Sequence, residues 1–88
     1  MPRIFIPSLA RDVTQGVAEV EVEAATVREA LDVLEQQFPG IRERLCRGDQ
    51  LAPGIQVSID AALTRRGLFA RLQPGSEVHF LPLVGGGC

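Results

Sequence analysis

The chain ends Leu83-Val84-Gly85-Gly86-Gly87-Cys88, and this is the segment whose residue types suggest covalent chemistry. Consecutive glycines carry no side chain to pack and leave the backbone wide freedom. A strand running straight into them would present a mobile thread. Such a thread can pass through a narrow channel into another protein's reaction centre. A carboxylate at its end is a poor electrophile and would need a leaving group supplied there. Termini also fray without purpose, so composition alone leaves both readings open. Elsewhere no nucleophile, base and orienting group form a set. The single histidine, His79, lacks neighbours that would complete a metal site. Two cysteines, Cys46 and Cys88, are too few for a disulfide scaffold or a four-thiolate cluster. Cys46 lies in an apolar-periodic stretch and reads as a small core or boundary residue.

The rest of the composition narrows the function classes further. Eighty-eight residues suit one domain with one core. The net charge of −2 argues against nucleic acid, and Arg65-Arg66 is the only adjacent basic pair, read as a solvated loop. All nine basic residues are arginines, so the chain has no side-chain amine to acylate and cannot link to itself through lysine. No apolar run approaches the roughly 18 residues of a membrane span. Met1-Pro2-Arg3-Ile4 does not begin a signal peptide. These points predict a cytosolic protein that binds neither membrane nor nucleic acid.

The elements that must position the tail are legible in the spacing. Arg3 to Ser8 reads as a first strand and Gln15-Gly16 as a turn. Val17 to Glu23 alternates, with Ala18, Val20 and Val22 on one face and Glu19, Glu21 and Glu23 on the other. The glutamate row reads as a solvated face that also discourages edge pairing. Thr26-Val27-Arg28-Glu29 is a capping box. Apolar residues at Val27, Ala30, Leu31, Leu34 and Phe38 then give the stripe of an amphipathic helix, ended by Pro39-Gly40. Ile41 to Cys46 predicts a further turn or two, stopped by Gly48. Ile55 to Asp60 alternates with Ile55, Val57 and Ile59 inward. Residues 61–71 admit either a short strand or a turn. Gln73-Pro74-Gly75-Ser76 fits a type II turn, and Ser76 to Pro82 is the last strand. One helix is available to cover the strands. The first and last strands can pair in parallel, because a long crossover separates them. The expectation is α+β, with a mixed sheet of four to five strands packed on one main helix. Residues 1–84 would form the domain and 85–88 the functional tail.

The run from Leu72 to Pro82 (LQPGSEVHFLP), followed by glycines, resembles the C-terminal signature of the MoaD/ThiS family of sulfur carriers. Thr26 to Leu31 and Phe38 to Leu45 resemble helix segments of that family. Ile6-Pro7-Ser8-Leu9 is most similar to the branch that feeds cysteine biosynthesis. The resemblance implies a β-grasp (ubiquitin-like) fold and a protein co-substrate that is not itself an enzyme. It also implies that an activating enzyme uses ATP to adenylate a terminal glycine carboxylate. A sulfur donor then yields a thiocarboxylate, which goes to a sulfur-accepting biosynthetic enzyme. No cofactor would be bound to the carrier. A protein modifier, or the small subunit of molybdopterin synthase, are the alternatives. The departure is Cys88, since family carriers end in diglycine. Cys88 would be a cap removed by a peptidase, metal-dependent in the expected case, or a residue appended by cloning, or a thiol that stores sulfur. If it is removed, Gly87 is the reactive residue and Gly86 its neighbour.

A carrier also needs a docking face at the root of its tail. On the last strand, His79 and Leu81 lie opposite Val78 and Phe80. If Ile4 and Ile6 point inward, Phe5 joins them. Phe5, His79, Leu81, Leu83, Val84 and Gly85 are then the expected partner-binding residues. A slip of one residue would instead put Phe5 in the core.

Overall fold

The computed structural model describes residues 1–82. Leu83, Val84, Gly85, Gly86, Gly87 and Cys88 lie outside the described residues, so the tail assignments are carried forward as proposals.

The strands are β1 (Arg3–Phe5), β2 (Glu19–Glu21), β3 (Cys46–Arg47), β4 (Gln50–Leu51), β5 (Ile55–Ile59), β6 (Ala62–Thr64) and β7 (Glu77–Pro82). The helices are α1 (Val27–Gln37) and α2 (Ile41–Leu45). The main sheet has the order β2-β1-β7-β5-β6, with β1 and β7 parallel at its centre and the other pairs antiparallel. This is the ubiquitin-like mixed sheet on one main helix that the strand pattern and the family resemblance together anticipated.

Local chemistry explains the elements. The Thr26 hydroxyl accepts from the Glu29 amide at 3.2 Å, and the Glu29 carboxylate reaches back to the Ala25 amide at 3.4 Å. Two otherwise orphaned donors at the start of α1 are thereby satisfied. Val27, Ala30, Leu31 and Leu34 are fully buried against the sheet, and Phe38 is half-buried. Each large aliphatic side chain there contributes about 1.5–3 kcal/mol relative to exposure. The Glu35 carboxylate accepts from the Gly40 and Arg42 amides at 3.0 Å each, which fixes the corner between the helices. In the turn before β7, Gly75 adopts φ 83°, as the third residue of a type II turn requires, and the Ser76 amide donates to the Gln73 carbonyl.

Several expectations are corrected. β1 stops at Phe5, because Pro7 has no amide to donate and opens a 3-10 turn over Ser8–Ala10. Ala18 is exposed, although Val20 and Val22 keep the anticipated inward phase. The chain does not end its helix at Gly48: Cys46–Arg47 pairs with Gln50–Leu51, and Gly48 (φ 65°) turns that hairpin. Residues 61–71 hold both a strand, β6, and a 3-10 turn over Gly67–Phe69. The long loop between β1 and β2 is tied down by Arg44, which donates to both Asp12 carboxylate oxygens at 2.7 and 2.6 Å and to the Leu9 carbonyl at 2.8 Å.

Candidate functional site

Side chains alternate across a strand, so β7 contributes to both faces of the sheet. Val78 and Phe80 are buried beneath α1; His79 and Leu81 point the other way. On β1, Ile4 is buried in the core while Phe5, its neighbour, is only half-buried. The parallel register sets Phe5 beside His79, with Glu19 of β2 on its other side. The register continues from His79 to Ser58 on β5 and from Ser58 to Leu63 on β6. One row therefore crosses the whole outer face: Glu19, Phe5, His79, Ser58, Leu63.

The Phe5 and His79 rings are stacked, with centroids 4.2 Å apart and planes 19° from parallel. Aromatic pairs of this kind contribute about 0.5–1.5 kcal/mol beyond the area they cover. Leu81, one step further toward the tail, is 38% exposed, and Leu63 is 62% exposed. The adjacent row toward the start of β7 is charged, with Arg3 between Glu21 and Glu77. The outer face thus passes from a charged row to a mixed one, and Leu81, with Gln56 beside it on β5, adjoins the point where the chain leaves the described domain.

Phe5, His79 and Leu81, which sequence alone placed together, do lie together. Leu63 was missed, as was Ser58, which joins the row but is itself buried. The hairpin that delivers them turns on Asp60 and Ala61, both at positive φ (51° and 72°). An Asn-Gly or Asp-Gly pair would have announced such a turn; Asp-Ala does not.

Three further ionisable groups hold the fold together. Hydrogen bonds from the Arg42 and Gly40 amides hold the Glu35 carboxyl below its usual range. The Arg44 guanidinium does the same for Asp12. Burial pushes the Cys46 thiol up, which disfavours the reactive thiolate and leaves Cys46 as a packing residue. Among the described residues, no group of three His, Cys, Asp or Glu side chains could hold a metal ion. No helix there is long and apolar enough to cross a membrane.

Comparison with known proteins fits this geometry. The model of the ThiS family matches residues 4–87. The structure is similar to a chain of the Amycolatopsis orientalis BexX/CysO complex, with TM-score 0.88 and 34% identity over 99% of this chain and 100% of that one. It is also similar to Mycobacterium tuberculosis CysO, with TM-score 0.86 and 26% identity over 96% and 100%. SAMP1 of Haloferax volcanii aligns with TM-score 0.67 and 26% identity over 98% of each chain. No match was found among curated proteins. A ubiquitin-like sheet, a mixed outer face at the end of its last strand and a family match running to Gly87 lead to one conclusion: the chain belongs to the ThiS family.

Proposed function

We propose that this chain is a sulfur carrier whose working group is the carboxylate of Gly87, exposed once Cys88 is removed. The family match ends at Gly87 and leaves Cys88 outside it, which is the observation that most favours this assignment. An ATP-dependent activating enzyme would join the Gly87 carboxylate to AMP, releasing pyrophosphate. A sulfur donor would then displace AMP to leave a thiocarboxylate. That group is delivered to a biosynthetic enzyme, with cysteine or another sulfur-containing metabolite as product. The carrier is a co-substrate in this scheme; the acid, base and charge-stabilising groups belong to its partners.

The outer-face row supports a docking role. Phe5, His79 and Leu81 present an apolar surface beside the tail root, and Leu83, Val84 and Gly85 would continue it into the partner's channel. The relative crystallised in the BexX/CysO complex supports the idea that such a carrier is held by a partner protein. Side chains on the thread would obstruct close backbone approach, which is why glycines suit Gly86 and Gly87.

The test is intact-mass measurement of the chain ending at Gly87 after incubation with ATP, the activating enzyme and sulfide. The expected gain equals the exchange of one oxygen for one sulfur, and the chain still carrying Cys88 should show none. No gain on the shortened chain would refute the proposal. The likeness to SAMP1, a small archaeal modifier protein, favours a second reading as a protein modifier. That reading requires adducts in lysate that survive thiol reduction.

A further inference from the structure

The outer face is not the sole surface with shape among the described residues. An open cleft of about 370 Å³ lies between the β3–β4 hairpin and the 3-10 turn over Gly67–Phe69. That volume falls within the range of binding pockets, about 300–1,000 Å³. Gln50 and Leu51 form one wall; Arg65, Arg66 and Phe69 form the other. Phe69 is 61% exposed, an aromatic ring left in water although the turn beside it buries Leu68. Among the described residues, neither arginine has a carboxylate within ion-pair distance. Asp49, the cleft's one carboxylate, faces Arg28 at 3.6 Å.

The walls are held in place by the fold. The Arg66 amide donates to the Thr64 hydroxyl at 3.1 Å, and the Phe69 amide donates to the Arg66 carbonyl at 3.0 Å. Leu51 packs toward Gly67, where an added Cβ would lie 3.8 Å from it. Two cations and an exposed ring are therefore displayed on fixed backbone, on a chain whose net charge is negative.

We propose that this cleft is a second docking surface, and that it takes an acidic segment of a partner protein anchored by an apolar side chain. The charge sets the sign: carboxylates on the segment would meet Arg65 and Arg66. The ring supplies the anchor, since an apolar side chain laid on Phe69 and Leu51 removes exposed apolar surface from water. A long polyanion fits worse, because the chain as a whole carries a net charge of −2 and Asp49 sits in the cleft wall. Leu51, Arg65, Arg66 and Phe69 belong to the described domain and not to residues 83–88, so the docking role does not rest on the carrier assignment.

The test is an amide-resolved NMR titration of the full chain with a capped acidic peptide bearing a central phenylalanine. Shifts are expected at Gln50, Leu51 and Arg65 to Phe69. The double variant Arg65→Ala/Arg66→Ala should bind about fivefold more weakly, as two exposed ion pairs imply, with an otherwise unchanged spectrum. Phe69→Ala should weaken binding independently, and added salt should weaken it in the parent chain. The proposal is overturned if those amides do not shift. It also fails if the lysine-substituted counterpart of the peptide binds equally well, or if ATP or an oligonucleotide perturbs the same amides more strongly than the peptide does.

Discussion

The two faces of the central strand pair make opposite uses of similar residues. Beneath β1 and β7, Ile4, Val78 and Phe80 are buried against α1. Above them, Phe5, His79 and Leu81 alternate with those residues on the same strands, yet nothing in the described domain covers them fully. A small domain needs one apolar face to fold. Phe5 and Leu81, left on the mixed opposite face, add nothing to that requirement, which is what supports the docking role proposed for them. The inner face holds the core, and the outer face is the one we propose for recognition.

That division can be broken by substitution, and the largest effect belongs to the inner face. Phe80→Ala should lower the unfolding free energy by about 3–5 kcal/mol, measured by urea titration. Leu81→Asp, one residue away, should change stability by less than about 1 kcal/mol. It should weaken binding to the activating enzyme at least about tenfold by calorimetry, as loss of a central apolar contact does. If Leu81→Asp unfolds the protein to the same extent as Phe80→Ala, the two faces are not functionally distinct.

The corner between the helices sharpens the comparison, because it stabilises without touching either face. Glu35→Ala should cost about 1 kcal/mol, the value of a lost helix cap. The Glu35 carboxyl is held below its usual range by the two amides it accepts from. Its contribution is therefore complete above the ordinary glutamate value and disappears as pH falls through the lowered one. The gap between parent and variant should close over that acidic window, as followed by thermal melts. The smallest effect is expected at the surface: Arg44→Ala should lower the melting temperature least of these variants, and by less still at high salt. Docking should be unaltered in both variants.

Much of the molecule could be read before folding was considered. The Thr26–Glu29 cap, the α1 stripe, the Gly75 turn and the alternation of Val78, His79, Phe80 and Leu81 are all patterns within a few residues. They appear in the structure as read. Errors arose where a short segment's conformation depends on distant contacts. Cys46 looked like the end of a helix because its apolar neighbours fit that period, but its β partner is Leu51. Leu63 stayed hidden because a hairpin through Asp60-Ala61 requires positive φ at residues that do not advertise it.

Alone, the order of residues determined the helix, its caps, the strand periodicities and the glycine-rich ending. These depend on backbone sterics and on side-chain spacing along one element. Tertiary structure decided that β1 lies parallel to β7, that Phe5 therefore stacks on His79, and that Ser58 and Leu63 complete their row. Alternation says that a strand has two unlike faces. Only the pairing register, set by contacts between segments more than seventy positions apart, says which side chains become neighbours.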